Sequence, residues 1–185
     1  MIKSFYKLIS IFPIALSVGL MTFITAWVCM YMGWTMWISF LSWALYFLHG
    51  GTAKNGMGAF TSFVFGIILA QMAILYIPWM SHILQDTNWL QFVIPSSVFL
   101  ISTVITLIMR IEEAAASYIP AVYIGTVFNF SFLDLKMANT KIDDIITDLI
   151  FPIIFGLFIG WCTVSFLLLL DRLGLATWHR RWEVK

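Results

Sequence analysis

The chain has 185 residues, of which 62% are hydrophobic and 10% charged, with ten Lys/Arg against nine Asp/Glu. Soluble domains carry about a quarter charged residues, so a mean hydropathy of +0.96 excludes an ordinary water-soluble globule and a disordered chain. A net charge of +1 gives no footprint for nucleic acid, and the sequence predicts an all-α integral membrane protein whose first partner is the lipid bilayer.

A hydrocarbon core takes about 20 apolar residues as helix. Six stretches free of Asp, Glu, Lys and Arg meet or approach that length: residues 13–32, 34–48, 58–79, 90–109, 114–133 and 149–170. Lys3 and Lys7 precede the first, but its apolar run is too long for a signal peptide and no small-x-small site follows, so it reads as an uncleaved helix.

The second stretch is short, rising about 22 Å against a core of about 30 Å. It runs into His49-Gly50-Gly51-Thr52-Ala53-Lys54-Asn55-Gly56, where glycines and Asn break helix. The third holds Gln71 at mid-span, an amide that needs a partner in hydrocarbon, either across a helix contact or along a pore. The fifth is long enough but interrupted. Pro120 predicts a kink, and Gly125 and Asn129 follow.

Placing both termini in the cytoplasm puts Lys3, Lys7, Lys54, Arg110, Arg172, Arg180, Arg181 and Lys185 inside, with only Lys136 and Lys141 outside. Positive charge favours the cytoplasmic face, so six spans fit better than five. Trp34, Trp79 and Trp89 then fall at outer ends, and Trp178 and Trp182 beyond the last inner end, where indoles prefer the headgroup level.

The triplets resemble each other. Ser17-Val18-x-Leu20-x-Thr22 matches Ser97-Val98-x-Leu100-x-Ser102 at an offset of 80. Ser39-Phe40-Leu41 matches Ser117-Tyr118-Ile119 at 78, and Phe65-Gly66-Ile67-Ile68-Leu69-Ala70 matches Phe155-Gly156-Leu157-Phe158-Ile159-Gly160 at 90. One membrane domain over residues 1–185 is expected, with a first repeat at about 10–80, a second at about 88–172, and a cytoplasmic tail at 173–185. Three spans per repeat make the halves inverted, and broken middle segments in such repeats point to a central solute site.

Trp37 to Gly51, with Phe40-Leu41 and Ala44-Leu45-Tyr46-Phe47 leading into Gly50-Gly51, resembles a known family. So do Ser117-Tyr118-Ile119-Pro120, Ile124-Gly125 and the Phe155-Gly156 helix. The family is the YcdZ-type bacterial inner-membrane proteins, a family of unknown function (domain of unknown function 1097). The resemblance runs from about Pro13 to Leu170, and residues 134–148 form a longer outer loop than the family pattern. It implies the bacterial inner membrane and carries over no catalytic or ligand residues.

Charge-free spans argue against a proton-driven pump and a hard-metal transporter. His82 and His179 are expected in loops or tail, and with His49 they are too scattered for a zinc site; Cys29 and Cys162 read as small buried hydrophobes. Glu112 and Glu113 suit a helix N-terminus. No catalytic residue, metal or cofactor is implied, and an enzyme is not expected. The first expectation is a channel or facilitator for a small uncharged or weakly polar solute. Its lining candidates are Tyr46, His49, Gly50, Gly51, Asn55, Gln71, Pro120, Tyr123 and Asn129. The alternative is a non-transporting scaffold or assembly subunit. Gly66-x-x-x-Ala70 and Gly156-x-x-x-Gly160 are small-residue faces for internal packing or a homo-oligomer contact.

Overall fold

A computed structural model describes residues 2–84, 89–108, 118–136 and 142–174. Among these, every regular element is helical. In chain order they are α1 (Ile2–Met32), α2 (Met36–Leu48), α3 (Ala53–Leu84), α4 (Trp89–Ile108), α5 (Ile119–Lys136), the one-turn α6 (Ile142–Ile145), a π-helical turn (Ile146–Ile150) and α7 (Phe151–Arg172).

The surface is that of a protein solvated by lipid. Phe23, Met30, Leu75 and Phe99 are exposed, while Ser39, Ser42, Ser62, Thr163 and Asn129 are buried. Exposed apolar area this extensive is untenable in water. Backbone polar groups are satisfied within helices, as hydrocarbon requires. Most hydroxyls bond back to their own helix: Thr25 to the Met21 carbonyl at 2.8 Å, Thr163 to that of Ile159 at 2.7 Å. Among the described residues, three helices are long and apolar enough to cross a membrane, over Phe12–Met32, Ala53–Met80 and Ile146–Arg172; Met36–Leu48, Pro95–Leu107 and Ile119–Ser131 are shorter apolar stretches.

Helix ends follow local chemistry. Gly33 has φ 70°, and Trp34 N–H reaches the Cys29 carbonyl at 2.8 Å, closing α1 with a left-handed cap. Gly50, at φ 95°, does the same for α2, with Gly51 N–H on the Tyr46 carbonyl at 3.0 Å.

The chain divides into two compact units, Met1–Gly56 with Phe151–Lys185, and Met57–Ile150. In the first, α2 and α7 run parallel. Trp34 meets Phe151 and Phe155, Ser39 meets Pro152 and Gly156, and Tyr46 meets Gly160, the contacts advancing together along both helices. α1 is antiparallel to both. Its Ile14 packs on Leu167 and Leu170, and its Cys29 thiol lies 3.4 Å from the Ser39 hydroxyl.

In the second unit α3 and α5 are the parallel pair. Ser62 meets Tyr118, Gly66 meets Val122, and Gln71 meets Asn129. The Phe63 and Phe128 rings stack with centroids 5.7 Å apart. α4 contributes Ile101 and Ile105 to a cluster with Leu69, Ala73 and Val122. The Tyr76 and Ser96 hydroxyls, 3.4 Å apart, set α4 antiparallel to α3.

Four expectations are corrected. Asn55 and Gly56 do not break helix but lie in the first turn of α3. Of the expected outer loop at 134–148, residues 142–148 are helical, in α6 and the π-helical turn. Pro120 is the second residue of α5, where its missing N–H costs nothing and its fixed φ suits helix initiation, so it opens the helix instead of kinking it. His82 belongs to the last turn of α3, not to a loop. Arg110, Glu112, Glu113, Ser117, Lys141, Trp178, His179, Arg180, Arg181, Trp182 and Lys185 lie outside the described residues.

Candidate functional site

The first group of candidate residues surrounds the turn from α2 to α3. Helical spacing places Tyr46 on the face of α2 that meets α7. Its ring lies between two glycines: a Cβ on Gly160 would stand 2.8 Å from Tyr46 Cδ1, and one on Gly56 would stand 2.8 Å from Cε2. Only residues without a side chain leave room for the ring there. The buried Tyr46 hydroxyl donates to the Gly51 carbonyl at 3.0 Å.

The same turn is tied from its other side. Asn55 Nδ2 donates to the His49 carbonyl, and Asn55 N–H donates to Thr52 Oγ1 at 3.2 Å, a cap on the first turn of α3. Thus Tyr46, His49, Gly50, Gly51 and Asn55 do come together. The backbone groups that a broken helix would leave free are bonded: the Gly50 and Gly51 N–H groups to Phe47 and Tyr46 carbonyls, the His49 and Gly51 carbonyls to side chains. His49 is half-buried, and burial lowers its pKa below the usual histidine value of 6.5, because the charged imidazolium loses hydration.

The second group lies on α3 and α5. Gln71 Nε2 donates to Asn129 Oδ1 at 2.8 Å, and Asn129 is wholly buried. Among the described residues its own Nδ2 has no acceptor. Pro120, nine residues earlier on the same helix, is about 14 Å away along the axis, so it does not share a site with Asn129. Tyr123 is partly exposed at 38%.

The small-residue faces are internal contacts. A Cβ on Gly66 would overlap the Val122 carbonyl oxygen, one on Gly125 the Phe63 carbonyl, and one on Gly156 the Ser39 carbonyl. Ala70 is fully buried.

Sequence reasoning overlooked Ser62 and Trp43. Ser62 is buried, donates to the Gly58 carbonyl and accepts the Tyr118 N–H at 3.3 Å. Its signal was present: Ser62, Gly66 and Ala70 continue one small-residue face at a spacing of four. Trp43 is buried with an indole N–H that has no acceptor among the described residues, and nothing in the local pattern marks it among nine tryptophans.

The family model described as "Protein of unknown function (DUF1097)" matches residues 15–166. No curated protein and no solved structure matches the chain.

Proposed function

The chain belongs to the DUF1097 family of proteins of unknown function, and from that footing we propose that it is a channel or facilitator for a small uncharged or weakly polar solute. The observation that carries this reading is the make-up of the two units. One combines α1 and α2 with α7; the other combines α4 and α5 with α3. Each therefore joins the first two helices of one sequence triplet to the last helix of the other. Each contains a close parallel pair tied by a serine, Ser39 to Pro152 and Ser62 to Tyr118. Positions 62 and 152 differ by 90, the offset that relates Gly66 to Gly156.

This supports an inverted duplication with exchanged third helices. Such repeats are the usual frame of solute-conducting membrane proteins. The charge-free stretches favour a neutral cargo. In this reading the protein is no enzyme, needs no cofactor, and resides in the bacterial inner membrane as six spans with both termini cytoplasmic.

A second reading is a non-transporting scaffold or homo-oligomeric assembly subunit. It is favoured by Tyr46, Asn55 and Gln71 spending hydrogen bonds inside the protein. Proteoliposome swelling with a panel of small neutral solutes separates the two. The facilitator reading expects faster swelling than protein-free liposomes, and a loss of that gain in Gly50→Leu if the variant remains folded. Equal swelling with and without protein removes it.

A further inference from the structure

We propose that Asn129 and Gln71 form a hydrogen-bonding station for a small neutral solute that carries an acceptor oxygen. The biological use of such a station rests on the facilitator reading, whereas its chemistry rests on an unmet donor. Asn129 is wholly buried, its Oδ1 accepts a hydrogen bond from Gln71 Nε2 at 2.8 Å, and its Nδ2 meets no acceptor among the described residues. Elsewhere on this helix pair the polar groups are well used. Thr126 Oγ1 donates to the Tyr123 carbonyl at 2.6 Å, and Ser62 both donates and accepts. The orphaned amide is thus an exception within an otherwise satisfied contact.

An unbonded amide proton in an apolar interior disfavours the folded state. A side chain needed only for packing at position 129 would be apolar, like its buried neighbour Phe128. Stability given up at one polar position is the mark of a functional group. The indole N–H of Trp43 also lacks an acceptor among the described residues, but that side chain sits in a run of rings with Phe40 and Phe47. Asn129 has Gln71, which is only half-buried and brings a second amide to the same point.

The chemistry of the pair selects its ligand. Two uncharged amides cannot offset the lost hydration of an ion, so an anion or cation is rejected. The free N–H requires a lone pair, as on a carbonyl, hydroxyl or ether oxygen. Gly66 and Gly125 bring α3 and α5 into close backbone contact on the same helix pair, so the ligand proposed is a small one.

The test uses the full chain in lipid nanodiscs with ¹⁵N-labelled asparagine side chains, titrated with acetamide and with glycerol. The expected result is a saturable shift of the Asn129 amide resonances, at least tenfold larger than that of Asn55, whose amide already has an acceptor. Asn129→Ser assigns the resonance; should it fail to fold, Asn55→Ser assigns by elimination with Asn88 and Asn139. No shift of the Asn129 resonance overturns the station. Swelling of liposomes with the same solutes reports separately on the facilitator reading. A shift without swelling removes transport and leaves the station, and swelling without a shift does the reverse.

Discussion

Ser39 Oγ donates to the Pro152 carbonyl at 3.0 Å, joining two helices whose contacting residues are 113 positions apart in the chain. Immediately beside it, Gly156 presses on the Ser39 backbone so closely that a Cβ would overlap its carbonyl oxygen. Helix pairs in lipid gain little from the hydrophobic effect and depend on close packing and hydrogen bonds. The Ser39–Gly156 contact supplies both at one point, as Ser62 and Gly66 do for α3 and α5.

Gly156→Val and Gly66→Val are therefore expected to destabilise their units by about 1–3 kcal/mol through overpacking. The neighbour in each case is backbone, which cannot swing aside. A Cβ on Gly19 would meet no described atom within 4 Å, so Gly19→Ala is expected to be neutral or to gain up to about 1 kcal/mol from helix propensity. Thermal unfolding in detergent micelles measures all three, and equal midpoints would contradict the packing argument.

Ser39→Ala removes the donor to Pro152 and the acceptor of the Cys29 thiol. The expected cost is about 1–2 kcal/mol, the net value of a buried hydrogen bond with a partner left unsatisfied. Ser39→Thr retains the hydroxyl and is expected to recover part of the loss in the same unfolding assay.

Gly50→Ala places a Cβ at φ 95° and 2.9 Å from Asn55 Nδ2. Both effects oppose the turn, with about 1–2 kcal/mol expected from the left-handed backbone alone. Asn55→Ala relieves the steric clash but not the backbone strain. A double-mutant cycle on stability should then show coupling between the two sites.

Pro120→Ala is expected to change stability by less than about 1 kcal/mol, because a first-turn proline interrupts no intrahelical bond. A proline deep inside a helix would instead release about 3 kcal/mol on replacement. The unfolding midpoint of the variant distinguishes these two outcomes directly.

Burial lowers the His49 pKa below 6.5, so the folded protein holds the neutral imidazole more firmly than the unfolded chain does. Its contribution is fully present above the unfolded pKa. It is lost as the pH falls through that value toward the lower folded one, where the unfolded state binds the extra proton. Stability is expected to fall over that acid interval in the wild type and to fall less in His49→Gln. The slope of midpoint against pH checks it.

The sequence made the second helix legible, because an apolar run of limited length meets two glycines whose left-handed conformations terminate helix at low cost. It also marked Gly66, Ala70, Gly156 and Gly160 as contact residues, since small side chains spaced by four occupy one helix face. Pro120 misled because a proline looks the same in sequence whether it opens a helix or bends one. The difference lies in where the first helical bond forms, which here runs from the Val122 N–H to the Tyr118 carbonyl at 3.3 Å and so leaves Pro120 in the first turn.

The sequence by itself determined a lipid-embedded helical protein: 62% hydrophobic residues with 10% charged call for a lipid-solvated surface, and uncharged apolar stretches of about 20 residues satisfy their backbone there as helices. Only the tertiary structure decided which helices pair. The parallel contacts of α2 with α7 and of α3 with α5 join segments far apart in the chain, and apolar helices of similar composition carry no local signal of partner choice. The partner is set by where a glycine lets a distant backbone approach and by whether a serine or amide there meets its counterpart.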